Sequence, residues 1–278
     1  MYEKLIREIK KTTQVNKLSK VAFFTIAVLT LMSIFAFLSP YDQNGIDMLN
    51  RFQSPNLKHI FGTDKMGRDY FTRILYGGRI SLSVGFLSMI ISTTIGTTIG
   101  AISGYFEGHV DSILMRMVDI LMSIPSFFII LILNAYFKPS IGMMVMIIGL
   151  LGWMGTARLV RAETLSVKNK EYVIYAKTLS IPNFKIIMRH IIPNVLPTIV
   201  VAATLSIASA ILTESSLSFL GMGVQAPDAS WGSMLSKAQG YMDEASHLGI
   251  FPGVFILMTV LSFNILGDTF RNTIEKRK

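Results

Sequence analysis

Six long apolar runs constrain the fold of this chain more than any other feature of its sequence. Each run is long enough, or nearly so, to cross a hydrocarbon core of about 30 Å as a helix. Lipid offers no partners to backbone N–H and C=O groups, so isolated spanning segments must be helical. The predicted spans are 21–38, 80–106, 113–137, 141–157, 194–212 and 248–266. We therefore predict an all-α integral membrane protein with six transmembrane helices.

The composition agrees with a membrane protein and excludes several other classes. Hydrophobic residues make up 51% of the 278 residues and charged residues only 15%, against about 25% charged residues in a soluble domain. The chain has no cysteine, which excludes disulfides and thiolate chemistry. Its formal charge of +9 could suggest nucleic acid, but the basic residues lie between apolar runs rather than in one stripe. We expect no nucleic-acid partner.

The first apolar run follows a basic stretch and could be mistaken for a signal peptide. It is long for a signal sequence and ends in Leu38-Ser39-Pro40, without a small-x-small cleavage site. We interpret 21–38 as a retained span after a cytoplasmic segment, 1–20.

The distribution of Lys and Arg predicts the orientation. With the N-terminus in the cytoplasm, 18 of the 26 basic residues lie inside, as the positive-inside rule requires. Both termini, including the tail 268–278, and the connection 158–192 are then cytoplasmic. The outer loop 39–79 departs from the pattern with six basic residues, and its end, 66–76, alternates apolar and charged residues. This alternation predicts a helix lying in the membrane interface.

Two local patterns within the spans lead to structural predictions. Ser92, Gly96, Gly100 and Gly104 recur every four residues, a flat face for packing within the bundle or against a second membrane subunit. Pro125 should kink the third span because it removes a helical hydrogen bond.

Arg116 and Asp119 lie three residues apart near the cytoplasmic end of the third span. This spacing allows them to pair on one helix face, and an unpaired Arg at mid-bilayer would cost about 2.5–3.5 kcal/mol. We therefore expect pairing or snorkelling, with a structural or a gating role.

Between the fourth and fifth spans the chain becomes amphipathic and basic, over EYVIYAKTLSIPNFKIIMRHIIPNVLP, 171–197. A short helix over 171–179 should present a less polar face of Tyr172, Tyr175, Ala176 and Leu179. Pro182 should end it, and Asn183 should cap a second short helix over 184–190. Such a helix-turn-helix suits docking into a groove of a soluble partner, although amphipathic insert helices also lie on membranes.

This segment resembles the cytoplasmic EAA loop of ABC importer permeases, which inserts a coupling helix into an ATPase subunit. Tyr175-Ala176 stands where the family has a small pair, Ser180 where it has glycine, and 191–194 matches its Ile-x-x-Pro around Pro193. The resemblance implies an ATPase-docking coupling loop, with these residues in it: Glu171, Tyr172, Tyr175, Ala176, Lys177, Leu179, Ser180 and Pro193. A non-glycine residue in a left-handed turn costs about 1 kcal/mol, so at Ser180 either the turn differs slightly from that of the family or the fold absorbs this strain.

Other stretches resemble the C-type permeases of dipeptide, oligopeptide and nickel systems. These are HIFGTDKMGRDYFTRILYGGRISLSVG (59–85) and TESSLSFLGMGVQAPDASWGSML (213–235), and the resemblance covers about residues 59–272. It departs at Asn272, where the family usually has Asp, and the following Asp-Pro is absent.

The resemblance implies a type I importer fold with a core permease domain over 80–267 in a bacterial cell membrane. The implied partners are a second homologous permease, two ATPase subunits, an extracytoplasmic substrate-binding protein and membrane lipid. The cargo would be a peptide or a chelate of nickel or another metal.

No catalytic or cofactor site is expected in this chain. It lacks the G-x-x-x-x-G-K-[ST] loop that holds ATP phosphates, so ATP would be bound by the partner subunits. Its four histidines show no metal-ligand spacing.

Two other classes of membrane protein remain as alternatives. An ion-driven secondary transporter should show inverted repeats and embedded acidic residues. The chain has no convincing repeat, and Asp119 and Glu214 are the only acidic candidates. An intramembrane hydrolase would need a base facing its nucleophile, and the in-span serines have no histidine at membrane depth.

Overall fold

The computed structural model describes residues 17–137 and 140–275, and its regular elements are helices. Apart from one isolated bridge between Thr63 and Asp69, these ranges contain no β-structure. The helices are α1 (Lys17–Ile34), α2 (Tyr70–Phe106), α3 (Gly108–Met122), α4 (Ser126–Tyr136), α5 (Ile141–Leu151), α6 (Trp153–Lys168), α7 (Glu171–Thr178), α8 (Asn183–Ile186), α9 (Ile192–Phe219), α10 (Trp231–Ala238) and α11 (His247–Glu275). Short 3₁₀ turns cover Phe35–Leu38, Met48–Asn50 and Gln239–Tyr241, and a π turn covers Ile187–Ile191. Residues 1–16 of the predicted N-terminal segment and 276–278 of the predicted tail lie outside the described residues.

Five helical segments are long and apolar enough to cross a membrane. They are Lys17–Leu38, Tyr70–Phe106, Ile141–Lys168, Asn183–Phe219 and His247–Ile274. The pair α3 and α4 makes a sixth if it counts as one crossing, with a bend of 73° between the two helices. The prediction of an all-α, multi-pass membrane protein is confirmed.

The bend between α3 and α4 lies at the predicted proline. Pro125 immediately precedes α4. Because proline lacks an N–H and disfavours helical geometry in the residue before it, the helix stops rather than curves. The predicted kink is therefore a full break of the third span.

The small-residue face of α2 packs within the bundle, against α6. A Cβ atom added at Gly96 would lie 2.7 Å from the Trp153 carbonyl oxygen, and one added at Gly104 would lie 2.7 Å from that of Arg161. Only glycine allows the two backbones to approach this closely. Of the two roles predicted for this face, packing within the chain is confirmed.

The N-terminal end of α2 differs from one prediction. Asp69 caps this helix by accepting a hydrogen bond from Thr72 N at 2.8 Å. Arg73 and Ile74 are buried, and Arg73 Nη1 donates to the Gln43 carbonyl at 2.8 Å. The predicted interfacial helix over 66–76 is wrong, because the segment continues into α2 and the preceding loop covers it. Helix α2 begins at Tyr70, ten residues before the predicted start of the second span at 80.

A buried polar cluster ties α2, α9 and α10 together at the same end. Trp231, fully buried, donates from Nε1 to the Ile74 carbonyl at 2.9 Å. Glu214 is also fully buried and accepts hydrogen bonds from Ser218 Oγ at 2.7 Å and Ser81 Oγ at 3.2 Å. Glu214, an acidic candidate for ion coupling, thus takes part in the packing between helices.

Candidate functional site

The candidate docking helix α7 has a buried side that fixes it to the bundle. Val173 and Ala176, three residues apart, are 0% and 4% exposed. They belong to one apolar cluster with Val160 and Val167 of α6 and with Ile186. The same cluster includes Ala101 and Tyr105 of α2 and Ile191 before α9. The helix therefore rests on the ends of three spanning segments.

The turn after α7 keeps a left-handed residue at Ser180, which is one of the two alternatives that the sequence left open. The Ser180 φ angle is 57°, in the left-handed region that favours glycine. Ile181 N donates to the Ala176 carbonyl at 3.2 Å, and Ser180 N donates to the Lys177 carbonyl at 2.9 Å. These two bonds form a Schellman motif, which satisfies the last carbonyls of the helix.

The second half of the segment differs from its prediction. Asn183 is the first residue of α8 rather than its cap, and its Oδ1 accepts a hydrogen bond from Tyr105 Oη at 2.8 Å. The π turn then joins α8 to α9, so that Asn183–Phe219 forms one spanning segment. Pro193 is the second residue of α9, directly after the π turn. The predicted separate helix over 184–190 is instead the beginning of the fifth span.

Charged groups support the base of α7. The Lys177 ammonium lies over the Tyr105 ring, 4.9 Å from its centroid. Partial burial, with Lys168 nearby, lowers the pKa of Lys177. Lys168 itself pairs with Glu107 at 3.0 Å. Glu171 in the first turn and Lys177 in the last complement the helix dipole.

The outward side of this region is apolar and unpartnered within the described chain. We call it the α7 surface; its residues are exposed, large and hydrophobic: Tyr172, Ile174, Tyr175, Leu179, Phe184 and Met188. Burial raises the pKa of Tyr172, whose ring lies 6.3 Å from that of His190. Tyr175 and Phe184 are each 72% exposed, which makes them the most prominent side chains of the surface.

Ala176 is a correction to the predicted docking face. The sequence placed it beside Tyr172, Tyr175 and Leu179, and the structure exposes those three but buries Ala176. The helical period alone places Ala176 close to Tyr172, Tyr175 and Leu179 around the helix. Packing against α6 and α8 decides which side faces inward. Ala176 therefore supports the helix from beneath.

The predicted pair of Arg116 and Asp119 is not formed. Asp119 Oδ1 instead lies 2.5 Å from Arg158 Nη2, on α6, and Arg116 is exposed. A second ion pair joins the same two helices. Asp111, about two turns before Asp119 on α3, binds Arg161, about one turn after Arg158 on α6, and the Asp111 carboxylate also contacts Ser103. Asp111 was not predicted from the sequence. Its only signal there is an acidic residue in the first turn of a helix.

The family assignment follows from a sequence match that includes this region. Residues 96–278 match the family described as "Binding-protein-dependent transport system inner membrane component". The chain belongs to this family. The match spans all of the elements from the end of α2 onward, including α7 and its surface.

Individual relatives of this family member agree over nearly its whole length. This chain is 37% identical to a dipeptide transport system permease protein of Bacillus subtilis, and the match covers 98% of this chain and 84% of the other. It is 41% identical, over 93% of this chain and 88% of the other, to an oligopeptide transport system permease protein of Escherichia coli. The predicted resemblance to ABC importer permeases is confirmed.

Solved structures support the same fold. A chain of the methionine ABC transporter MetNI, in an inward-facing conformation, matches with a TM-score of 0.57 and 17% identity. The match covers 70% of this chain and 93% of that chain. This family member therefore has the type I importer fold that the resemblance implied.

Proposed function

We propose that this chain is a permease subunit of an ATP-driven importer of peptides, and that the α7 surface is where an ATPase subunit docks. The observation that carries the docking proposal is the exposed apolar α7 surface on a rigidly anchored helix. Tyr172, Ile174, Tyr175 and Leu179 of this surface lie outside the spanning segments. Exposed large side chains in such a place, on a helix whose other side is buried, are typical of interaction sites. Two ATPase subunits, a second permease and an extracytoplasmic binding protein complete the proposed importer.

Force transmission requires that α7 cannot move independently of the spans. Its base contacts α6 and the α8–α9 segment, and Asn183 binds Tyr105 at the end of α2. A displacement of the ATPase would therefore reach three spanning segments together. In this proposal the chain contributes the path and the mechanical link, and it takes no part in ATP hydrolysis.

The cargo assignment rests on the relatives. The proteins named above transport dipeptides and oligopeptides, and their names favour peptides over nickel or another metal chelate. With the α7 surface in the cytoplasm beside the ATPases, both termini lie inside. The plasma membrane of a bacterium is the proposed location.

The decisive experiment measures peptide uptake by the assembled complex in membrane vesicles. Labelled dipeptides and tetrapeptides should enter only with binding protein and ATP, and a nickel chelate should compete poorly. The alternative, a secondary transporter of small solutes, predicts uptake driven by an imposed proton gradient in ATP-depleted vesicles. Uptake under that second condition would contradict the importer assignment.

A further inference from the structure

A groove in the surface of the bundle separates α1 from α2 near the C-terminal end of α1. Its volume is about 550 Å³, within the range of small-molecule sites, about 300–1000 Å³. Helix α1 lines one side of it, and α2 lines the other with Leu82, Ser83, Phe86 and Leu87. Ile207 of α9 and Phe263 of α11 complete the lining. These helices belong to segments long and apolar enough to cross a membrane, so the groove opens to lipid or to a neighbouring protein.

The groove requires an apolar occupant. Ile34, Phe86 and Leu87 are exposed in the isolated chain, and Leu82 and Phe263 pack against the hydrophobic core. Such a lining offers water too few hydrogen bonds. An unfilled space of this size would leave the lining side chains without van der Waals contacts. A hydrocarbon chain or an apolar helix would supply those contacts.

Arg79 lies at the end of the groove nearest the boundary of the membrane. Its Nε donates to the Ser33 carbonyl at 2.6 Å, and its Nη2 donates to the Ile34 carbonyl at 2.7 Å. Ser33 and Ile34 are the last two residues of α1, so Arg79 ties α2 to the end of that helix. The spanning segment Lys17–Leu38 ends about one helical turn further on. Arg79 is therefore close to where the lipid headgroups begin.

The positive charge of Arg79 is not balanced by the described part of the chain. Its Nη1 forms no hydrogen bond there, and its guanidinium lies over the Tyr76 ring, 4.6 Å from the centroid. Among the described residues, no Asp or Glu pairs with Arg79 and none lines the groove. A cation at the edge of the hydrocarbon region is costly without an anion. The plentiful anions at that depth are the phosphates of lipid headgroups.

We propose that the groove binds one phospholipid, with an acyl chain along Leu82, Phe86 and Leu87 and the headgroup phosphate on Arg79. The phosphate can accept hydrogen bonds from Nη1 and balance the charge, while the acyl chain fills the apolar space. An apolar helix of a neighbouring subunit would fill the same space but leave Arg79 without an anion, so the lipid fits both observations. The bound lipid joins α1 to α2 along the groove. This site is separate from the α7 surface and independent of the cargo.

The first test identifies the occupant in the assembled complex, purified in detergent. The photoreactive analogue p-benzoyl-phenylalanine replaces Phe86, a conservative change at an exposed aromatic side chain. After illumination, mass spectrometry of the chain should show an adduct with the mass of a phospholipid. The same analogue at Phe24, exposed on α1 outside the groove, should give little adduct, because detergent removes lipid that is not held. A cross-link to another subunit, an adduct of detergent mass, no adduct, or equal lipid adducts at both positions would overturn the proposal.

A second test separates the two parts of the site, with the analogue kept at Phe86. Arg79→Gln removes the charge and should lower the yield of lipid adduct roughly tenfold, the effect of one lost hydrogen bond to a charged group. Arg79→Lys keeps the charge and should retain most of the yield. Ser83→Trp fills the groove and should abolish the adduct, whereas Leu31→Trp, exposed on α1 outside the groove, should not.

Thermal unfolding of each purified complex distinguishes loss of the lipid from loss of the fold. Arg79→Gln also weakens the bonds to Ser33 and Ile34, and Ser83→Trp leaves those bonds in place, so the groove can be tested even if the first variant unfolds. An unchanged yield of adduct in Ser83→Trp would refute the groove as the site. An unchanged yield in Arg79→Gln would refute the contact with the phosphate.

Discussion

Asp111 and Arg161 form a two-pronged ion pair that joins α3 to α6. Arg161 Nε lies 2.5 Å from Asp111 Oδ1, and Nη2 lies 2.6 Å from Oδ2. Ser103 of α2 binds the same carboxylate. Asp111 and Arg161 are 50 positions apart in the sequence, and the break of the third span lies between them, so this contact fixes how the first half of that span sits on the bundle.

Asp111→Ala should destabilise the chain. Both side chains are partly exposed, at 16% and 33%, so the expected loss is about 2 kcal/mol, the range of hydrogen bonds to charged groups, rather than that of a deeply buried pair. Thermal unfolding of the purified complex measures it. The Asp119→Ala variant removes the more exposed pair with Arg158 and should cost less. Equal effects would mean that Asp111 has no special role.

Charge placed on the α7 surface should weaken ATPase docking. Tyr175→Asp would bury an unpaired carboxylate at the proposed contact, at a cost of several kcal/mol. At about 1.4 kcal/mol per tenfold in affinity, we expect docking to weaken by about 100-fold or more. Co-purification of the ATPase subunits, together with peptide uptake, reports the change. Tyr136→Asp, a matched substitution at an exposed tyrosine at the end of α4, should leave docking intact.

Ala176→Glu should act through a different mechanism. Ala176 is buried against the chain's own core, so the larger charged side chain should disrupt packing even without an ATPase present. We expect a lower unfolding temperature for this variant and a normal one for Tyr175→Asp. If both variants unfold like wild type and lose only docking, the buried position of Ala176 is contradicted in the assembled protein.

Ser180→Gly should stabilise the turn after α7. Glycine enters the left-handed region freely, which removes strain of about 1 kcal/mol. Ser180→Val, with its branched β-carbon, should destabilise the same turn. Unfolding temperatures of the three forms should therefore rank glycine, serine, valine. Peptide uptake should be unchanged in the glycine variant.

Topology can be tested with single cysteines. Gln239→Cys, exposed at the outer end, should react with an impermeant thiol reagent applied to intact cells, and Asn169→Cys should react only after lysis. The reverse labelling pattern would place the α7 surface on the outside, away from ATP.

The spans were predictable because length and hydropathy alone decide whether a helix can cross lipid. Their ends were not. Asp69 caps α2, and Arg73 is buried by contacts to the preceding loop, interactions that a local pattern cannot reveal. In the same way, α7 carries apolar residues on both sides, and only packing against α6 distinguishes Ala176 from Tyr175. The sequence also left open whether Ser180 keeps the left-handed turn, because packing around the turn decides whether the strain of a non-glycine residue is absorbed.

The continuity of Asn183–Phe219 has a geometric consequence. One end of this 37-residue segment carries Phe184 and Met188, and the other carries Glu214 and Ser218 of the buried polar cluster between α2, α9 and α10. At about 1.5 Å per residue it is roughly 55 Å long. A tilt of about 5° would shift one end by about 5 Å relative to the other. Opening on one side of the membrane and closing on the other can then be two results of a single rotation of this segment.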